Sequence, residues 1–195
     1  MRRIKTTSLR RFQPFAPGHS APPADRYRHF ILCTLALLGA ILLAGCATKP
    51  EKLTADRVVV KKSERKLMLL SDGEVVREYR VALGDSPRGH KMEEGDERTP
   101  EGEYTLDWRN PNSRFHKSIH VSYPNERDVQ FARFLDQSPG GMIMIHGQPN
   151  HIRSAKVLAE YERRDWTDGC IAVKNEEMNE IWTAVGDGTP IQILP

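Results

Sequence analysis

No stretch of this 195-residue chain is as long as a membrane-spanning helix. Residues 30–45 form a run of sixteen apolar or small residues, where a span needs roughly 20. Internal repeats and low-complexity tracts are also lacking. So is a basic surplus in the body. The net charge of +3 belongs to the first thirty residues, which carry Arg2, Arg3, Lys5, Arg10, Arg11, Arg26 and Arg28 against Asp25 alone; beyond residue 45 there remain 22 basic and 25 acidic side chains. A nucleic-acid surface needs a clustered positive face on the folded domain, so no nucleic-acid partner is expected. Metal-ligand spacing is missing too. His116 and His120 are four apart and His146 and His151 five apart, neither pair with a third partner, so no metal is expected. What is present is a set of regular apolar runs and all three tryptophans, Trp108, Trp166 and Trp182, in the body. That pattern argues against disorder, and about 150 residues suit one domain with one core.

Cysteine is scarce: Cys33, Cys46 and Cys170 are the only three. A basic stretch followed by the short apolar run and small residues is the pattern of a secretory signal peptide. Leu43-Ala44-Gly45-Cys46 resembles the lipobox of bacterial lipoproteins. The resemblance implies a signal peptide over 1–45, lipid on Cys46 and a polar tether over 46–56; the alternative is an uncleaved signal anchor. Ala47 stands where an aspartate commonly marks inner-membrane retention. The expected location is therefore periplasm-facing and lipid-anchored, with the outer membrane favoured. Cys33 then leaves with the leader and Cys46 is capped, so Cys170 is the single free thiol of an exported protein. That suggests an intermolecular bridge or a reactive thiol; a buried inert cysteine is the plain alternative.

Along the body, Val58–Val60 begins a strand. Lys66–Leu70 and Glu74–Leu83 flank Ser71-Asp72-Gly73, a hairpin signal. Residues 84–102 hold Gly84, Gly89, Gly95, Gly102, Pro87 and Pro100 among many charges and read as a long polar loop. Strands are expected over Gly102–Trp108 and Ser118–Tyr123, then a short helix to Phe134 capped by Asp128. The apolar run Met142–Ile145 reads as a buried strand. Ser154 is placed to cap a helix to about Arg163. A turn over 165–170 leads into Ile171–Val173. Asn175 starts a last helix with Met178, Ile181, Trp182 and Val185 on its apolar face, and Thr189–Leu194 closes the chain. The sum is a mainly β domain with a few short helices.

Two residues carry candidate chemistry. His146 ends an apolar run, and Cys170 stands at the mouth of another. A thiol is a strong nucleophile only as thiolate, and a nearby imidazole is the usual means of generating it. Gly169 would let a reacting carbonyl approach the backbone, with N–H groups directed at an oxyanion.

Ile145-His146-Gly147 with Thr167-Asp168-Gly169-Cys170 resembles the signature of the L,D-transpeptidase catalytic domain of the YkuD type. Val81-Ala82-Leu83-Gly84, Gly95-Asp96 with Thr99-Pro100-Glu101-Gly102, and Ser122-Tyr123-Pro124-Asn125 match as well, so the resemblance covers about 57–195. It implies an L,D-transpeptidase-like β-sandwich or barrel. It also implies a cysteine acyltransferase that cleaves the L-D bond of peptidoglycan stem tetrapeptides through a Cys170 thioester, with no cofactor. His146 is the implied base, Gly147 the residue whose carbonyl orients it, and Asp168, Gly169 and Cys170 the oxyanion donors. Asp168 stands where the family often has histidine, and Ala172 where asparagine or arginine is common. The 23 residues between His146 and Cys170 are a long spacer, expected to hold its helix as a flap or wall.

Thr167, Trp166, Arg109 and Arg114 are further candidates for substrate contact, Trp166 with core packing as the plainer role. The acidic loop residues Glu93, Glu94, Asp96 and Glu97 read first as solvated surface. Expected partners are stem peptides, a membrane through Cys46, and a protein acceptor for the thioester. A carboxypeptidase or a hydrolase that releases wall-linked proteins on the same site, and a non-catalytic wall-binding lipoprotein, are the alternatives. A secreted cysteine protease fits a β-rich chain poorly.

Overall fold

The structure is a computed structural model and describes residues 52–195. The expected signal peptide, Cys46 and the start of the tether lie outside the described residues. Eight strands form one curled sheet: β1 Arg57–Lys61, β2 Lys66–Ser71, β3 Glu74–Arg80, β4 Gly102–Asn110, β5 Ser118–Val121, β6 Met144–His146, β7 Ile171–Ala172 and β8 Thr189–Leu194. Three short helices accompany them, α1 Glu126–Phe134, α2 Ala155–Tyr161 and α3 Asn175–Ala184. The strand order is β3-β2-β1-β8-β4-β5-β6-β7.

The hairpin forms where Asp72 and Gly73 both take positive φ, 52° and 83°, as the tight turn requires. Period-two burial then fixes which side faces in. Val58 and Val60 of β1, Leu67 and Leu69 of β2, and Ile191 and Ile193 of β8 all enter the core. Val58 lies opposite Leu69 on one side and Ile191 on the other. Met178 and Ile181 of α3 fill the same core and are fully buried.

The ends of the sheet meet. Beyond β3 the chain crosses to β7, where Ala82 and Ala172 exchange two backbone hydrogen bonds of 2.9 and 2.8 Å. The Leu83 carbonyl accepts from both Trp166 and Thr167 N–H at 3.1 Å, and Asp85 N–H donates to the Thr167 carbonyl at 3.0 Å. The bridge covers the outer edge of β7.

Four expectations change. Asn125, not Asp128, caps α1; Asp128 is the third residue of the helix and its carboxylate returns to the Asn125 N–H, completing a capping box. The apolar run becomes ladder only from Met144, since Met142 has φ of 57° and is largely exposed. The helix after Ser154 ends at Tyr161. The 84–102 loop has no regular structure, yet it is not a solvated strip. Lys91 and Thr99 are buried, and Asp96 accepts from Lys91 Nζ and from the N–H groups of Met92, Glu93 and Arg98.

That loop packs on backbone. The Glu97 carbonyl occupies the place of a side chain at Gly84. A Cβ on Gly169, whose φ is +120°, would meet the Arg98 carbonyl oxygen at 2.5 Å. Gly169→Ala is therefore expected to cost about 2 kcal/mol or more, from φ strain and the clash together. Gly141→Ala, with no atom nearer than 3.8 Å, is expected to stay within about 0.5 kcal/mol. Urea unfolding of both variants checks the difference.

Candidate active site

β6 and β7 run parallel, with Ile145 opposite Ile171 and His146 opposite Ala172. Ile145 and Ile171 are fully buried in the core. In that register Cys170, one residue before β7, falls level with Met144, two residues before His146. The sequence separation of 24 residues collapses because the segment between them loops out through α2 and returns.

The turn that presents Cys170 is fastened at several points. Arg65 grips the Asp165 carboxylate with Nε and Nη2, the latter at 2.7 Å, and the same carboxylate accepts from Leu83 N–H at 3.0 Å. Thr167 is buried; its hydroxyl donates to the Cys170 carbonyl at 2.7 Å and accepts from Gly169 N–H at 3.3 Å. Thr167 thus shapes the turn rather than lining an open subsite. The space beside Gly169 that was expected to admit a reacting carbonyl is filled by the Arg98 carbonyl. The Asp168 side chain is exposed.

His146 is 3% exposed, and its Nδ1 meets the Gly147 carbonyl oxygen at 2.7 Å. A carbonyl only accepts, so Nδ1 carries the proton and Nε2 keeps its lone pair. Phe115 lies against the imidazole with ring centroids 4.6 Å apart, and Trp166 meets it edge-on at 5.6 Å. This apolar wall disfavours the charged ring. Burial lowers the His146 pKa to about 4, although the Gly147 contact works the other way. The Cys170 sulfur approaches the Met142 carbonyl at 3.6 Å. Burial pushes its thiol up to about 11; a Met144 backbone contact and the Lys91 ammonium oppose this, and Asp168 reinforces it. Near neutral pH both groups are uncharged, a thiol beside a free base.

Trp166 belongs to an aromatic cluster with Phe115 and Tyr161, the last at 4.9 Å, so α2 serves as a wall through Tyr161. A cavity of about 180 Å³ opens here, lined by Ala82, Gln148, Tyr161, Glu162, Trp166 and Ala172 among others. Cys170 and His146 are not among its lining residues; Ala172 and Gln148 stand two residues beyond them along the chain. Arg109 is elsewhere. Its guanidinium hydrogen-bonds the Trp182 and Val185 carbonyls at the end of α3, pairs with Asp187 at 2.6 Å and lies over the Trp182 ring. It caps a helix and has no place at this site. Arg114 is exposed, and its backbone carbonyl accepts from Asn150 N–H at 3.0 Å.

Phe115, Tyr161 and Gln148 escaped the sequence reading. Phe115 sits in an irregular segment and gains its position from the Gly147 N–H, which donates to its carbonyl at 3.0 Å. No local pattern announces that contact. His116 and His120 are taken up by Asn179 at 2.8 Å and Asp107 at 2.7 Å. Among the described residues no group of three or more His, Cys, Asp or Glu side chains is placed to hold a metal.

Residues 55–193 match the YkuD family, described as the L,D-transpeptidase catalytic domain. The Escherichia coli (strain K12) protein named "Putative L,D-transpeptidase YafK" is 29% identical over 110 residues, which cover 55% of this chain and 36% of that protein. The match thus spans about a third of that curated relative. Among solved structures, the helical cell shape determining protein Pgp2 of Campylobacter jejuni is 26% identical over 70% of this chain and 46% of its own, with a TM-score of 0.52. An L,D-transpeptidase of Xylanimonas cellulosilytica DSM 15894 is 18% identical over 80% and 68%, with a TM-score of 0.46.

The depressed His146 pKa makes a prediction. The unfolded ring titrates near 6.5 and the folded one near 4, so between those values the unfolded chain binds more protons. The histidine's contribution is complete above pH 6.5 and is lost as pH falls through the window to 4, in total on the order of 3 kcal/mol. Urea unfolding at pH 7.5, 5.5 and 4 is expected to show that loss. His146→Gln is expected to show a shallower acid limb.

Proposed function

The chain belongs to the YkuD family of L,D-transpeptidase catalytic domains, and on that premise we propose that it is a cysteine acyltransferase of peptidoglycan stem peptides. The observation that supports the reading is the parallel register of β6 and β7, which sets His146 opposite Ala172 with Cys170 immediately before β7, together with His146 Nδ1 committed to Gly147 so that Nε2 keeps its lone pair.

The Cys170 sulfur attacks the carbonyl carbon of diaminopimelate in a tetrapeptide stem. Its proton passes to His146 Nε2. The Asp168 and Cys170 N–H groups face the oxyanion, and that of Gly169 joins them by giving up its 3.3 Å bond to Thr167. The C–N bond to terminal D-Ala breaks, its nitrogen takes the proton from His146, and a thioester remains on Cys170. An acceptor amine then attacks the thioester, His146 takes the amine's proton, and Cys170 departs as a thiol once that proton returns.

The energetics place the proton transfer. Burial pushes the Cys170 thiol up and the His146 imidazole down, so moving the proton between them ahead of attack is uphill. A resting thiolate–imidazolium pair is therefore a minor species, even after its own attraction offsets part of the cost. Proton transfer accompanies attack, as general-base catalysis requires.

The cavity beside Ala172 and Gln148 gives a stem peptide a place to lie, and its rim carries both signs of charge, with Lys174 Nζ 3.4 Å from Glu162. Water in place of the amine would make the same thioester a carboxypeptidase intermediate or release a wall-linked protein. A contribution to cell-wall organisation and cell shape accords with the likeness to Pgp2, named for shape determination in its own organism. The proposal extends to the leader: lipid on Cys46 would hold the domain at a membrane facing the wall.

Two experiments follow. The chain from residue 47 onward, given a disaccharide-tetrapeptide, is expected to yield a cross-linked dimer lacking one D-Ala by mass spectrometry. Cys170→Ala abolishes the product, and His146→Gln lowers the rate about 10²- to 10⁴-fold. Tripeptide alone would favour hydrolysis, and no reaction would refute the donor assignment. Separately, full-length Cys46→Ser is expected to lose the membrane-fraction label from metabolic palmitate that the unaltered chain carries; equal labelling would refute the anchor.

A further inference from the structure

Met142 holds a backbone conformation that its side chain does not favour. Its φ is 57°, in the left-handed region, where a methionine has no short polar group to offset the crowding of its Cβ. Packing does not impose this, because the side chain is 64% exposed. The conformation acts through the main chain instead. It sets the Met142 carbonyl oxygen 3.6 Å from the Cys170 sulfur. Backbone strain beside a reacting group is a pointer to function when an observed contact goes with it.

The segment that carries Met142 is tied at its ends and loose between them. The Glu94 N–H donates to the Ser138 carbonyl at 2.7 Å, and the Val121 N–H to the Ile143 carbonyl at 2.9 Å. The Tyr123 hydroxyl donates to the Pro139 carbonyl at 2.9 Å. Tyr123 is buried, edge-on to Tyr104, so its hydroxyl reaches the segment from the core. Gly140, with φ of 68°, and Gly141 follow, and they let the chain turn sharply before Met142.

The sulfur thus faces the entry to β6. The strand register sets Cys170 level with Met144, and the Met142 carbonyl stands just ahead of that strand. A carbonyl only accepts, so in this contact the thiol is the donor and its hydrogen points at Met142.

We propose that Met142 is a positioning residue for Cys170: its left-handed backbone presents a carbonyl that takes the thiol's hydrogen bond at rest and fixes where the sulfur sits. This rests on Cys170 being the nucleophile. Met142 takes no part in bond making. When the sulfur attacks, the S–H···O contact opens, the S–H bond breaks and the proton moves to His146 Nε2. Tyr123 supports the same contact from one step further back, through Pro139.

The S–H stretching band in the infrared reads this without any peptidoglycan. The chain from residue 47 onward holds the whole core and has Cys170 as its only cysteine, so a single band, erased by iodoacetamide, belongs to this thiol. A hydrogen bond weakens the S–H bond and lowers its wavenumber. Met142→Val puts a β-branched residue where φ is positive, which is expected to swing the carbonyl away and raise the wavenumber. Met142→Asn tolerates the left-handed region and is expected to keep the band in place. With a disaccharide-tetrapeptide, Met142→Val is expected to lower kcat about tenfold or more and to leave KM within about twofold, because only the alignment of the sulfur has changed. A merely structural Met142 would shift the urea midpoint of the valine variant and leave the band still. Tyr123→Phe removes the tie to Pro139, is expected to raise the wavenumber as well, and decides by the same rule should the valine variant fail to fold. A band that stays in place in the valine variant, or moves equally in the asparagine one, overturns the proposal. A moved band with no transpeptidation by the unaltered chain leaves it standing and sinks the assigned reaction instead.

Discussion

Two backbone carbonyls, those of Glu97 and Arg98, occupy the space that side chains at Gly84 and Gly169 would fill. This close approach ties together the end of the β3 crossing, the long polar loop and the turn that presents Cys170. It works only with hydrogen at both α-carbons. The sheet closes there, the loop is pinned there, and the sulfur takes its place between the two.

Around that junction the chain uses polar groups as fasteners and apolar ones as fill. Lys62, Lys91, Asp96, Asp165 and Thr167 hold loop to strand and turn to sheet through hydrogen bonds to backbone and to one another's charges. The core beneath comes from alternate residues of the strands and one face of α3. The result is a rigid mount for two groups that are uncharged at rest. The buried His146, walled by Phe115 and Trp166, is a base without a charge. Cys170 is a thiol whose ionisation burial resists.

Much of this was legible in the sequence where a local rule decides it. Asp72-Gly73 names its turn because few other pairs tolerate two positive φ values. Alternating Val58/Val60 and Ile191/Ile193 name their inward face. Asp128 was misread as a cap because Asn125 and Asp128 share one capping box, and either residue type suits its first position. Arg109 was misread because nothing near it announces that the end of α3, more than seventy residues on, needs a cation for its carbonyls. The burial of Lys62 and Lys91 was not legible either, since charge in the interior depends on acceptors that only the folded loop assembles. Cys170 and His146 stood out through family likeness, and the parallel register of β6 and β7 sets His146 opposite Ala172, two residues beyond Cys170.

The central claim is a covalent intermediate on one sulfur. Intact-protein mass spectrometry of the chain from residue 47 onward, quenched in acid within seconds of mixing with a disaccharide-tetrapeptide, tests it directly. The account predicts an adduct equal to the donor less one D-Ala, mapped by digestion to the peptide that contains Cys170 and lost on treatment with hydroxylamine. An adduct on another residue, or product formation with Cys170 replaced by alanine, would contradict it.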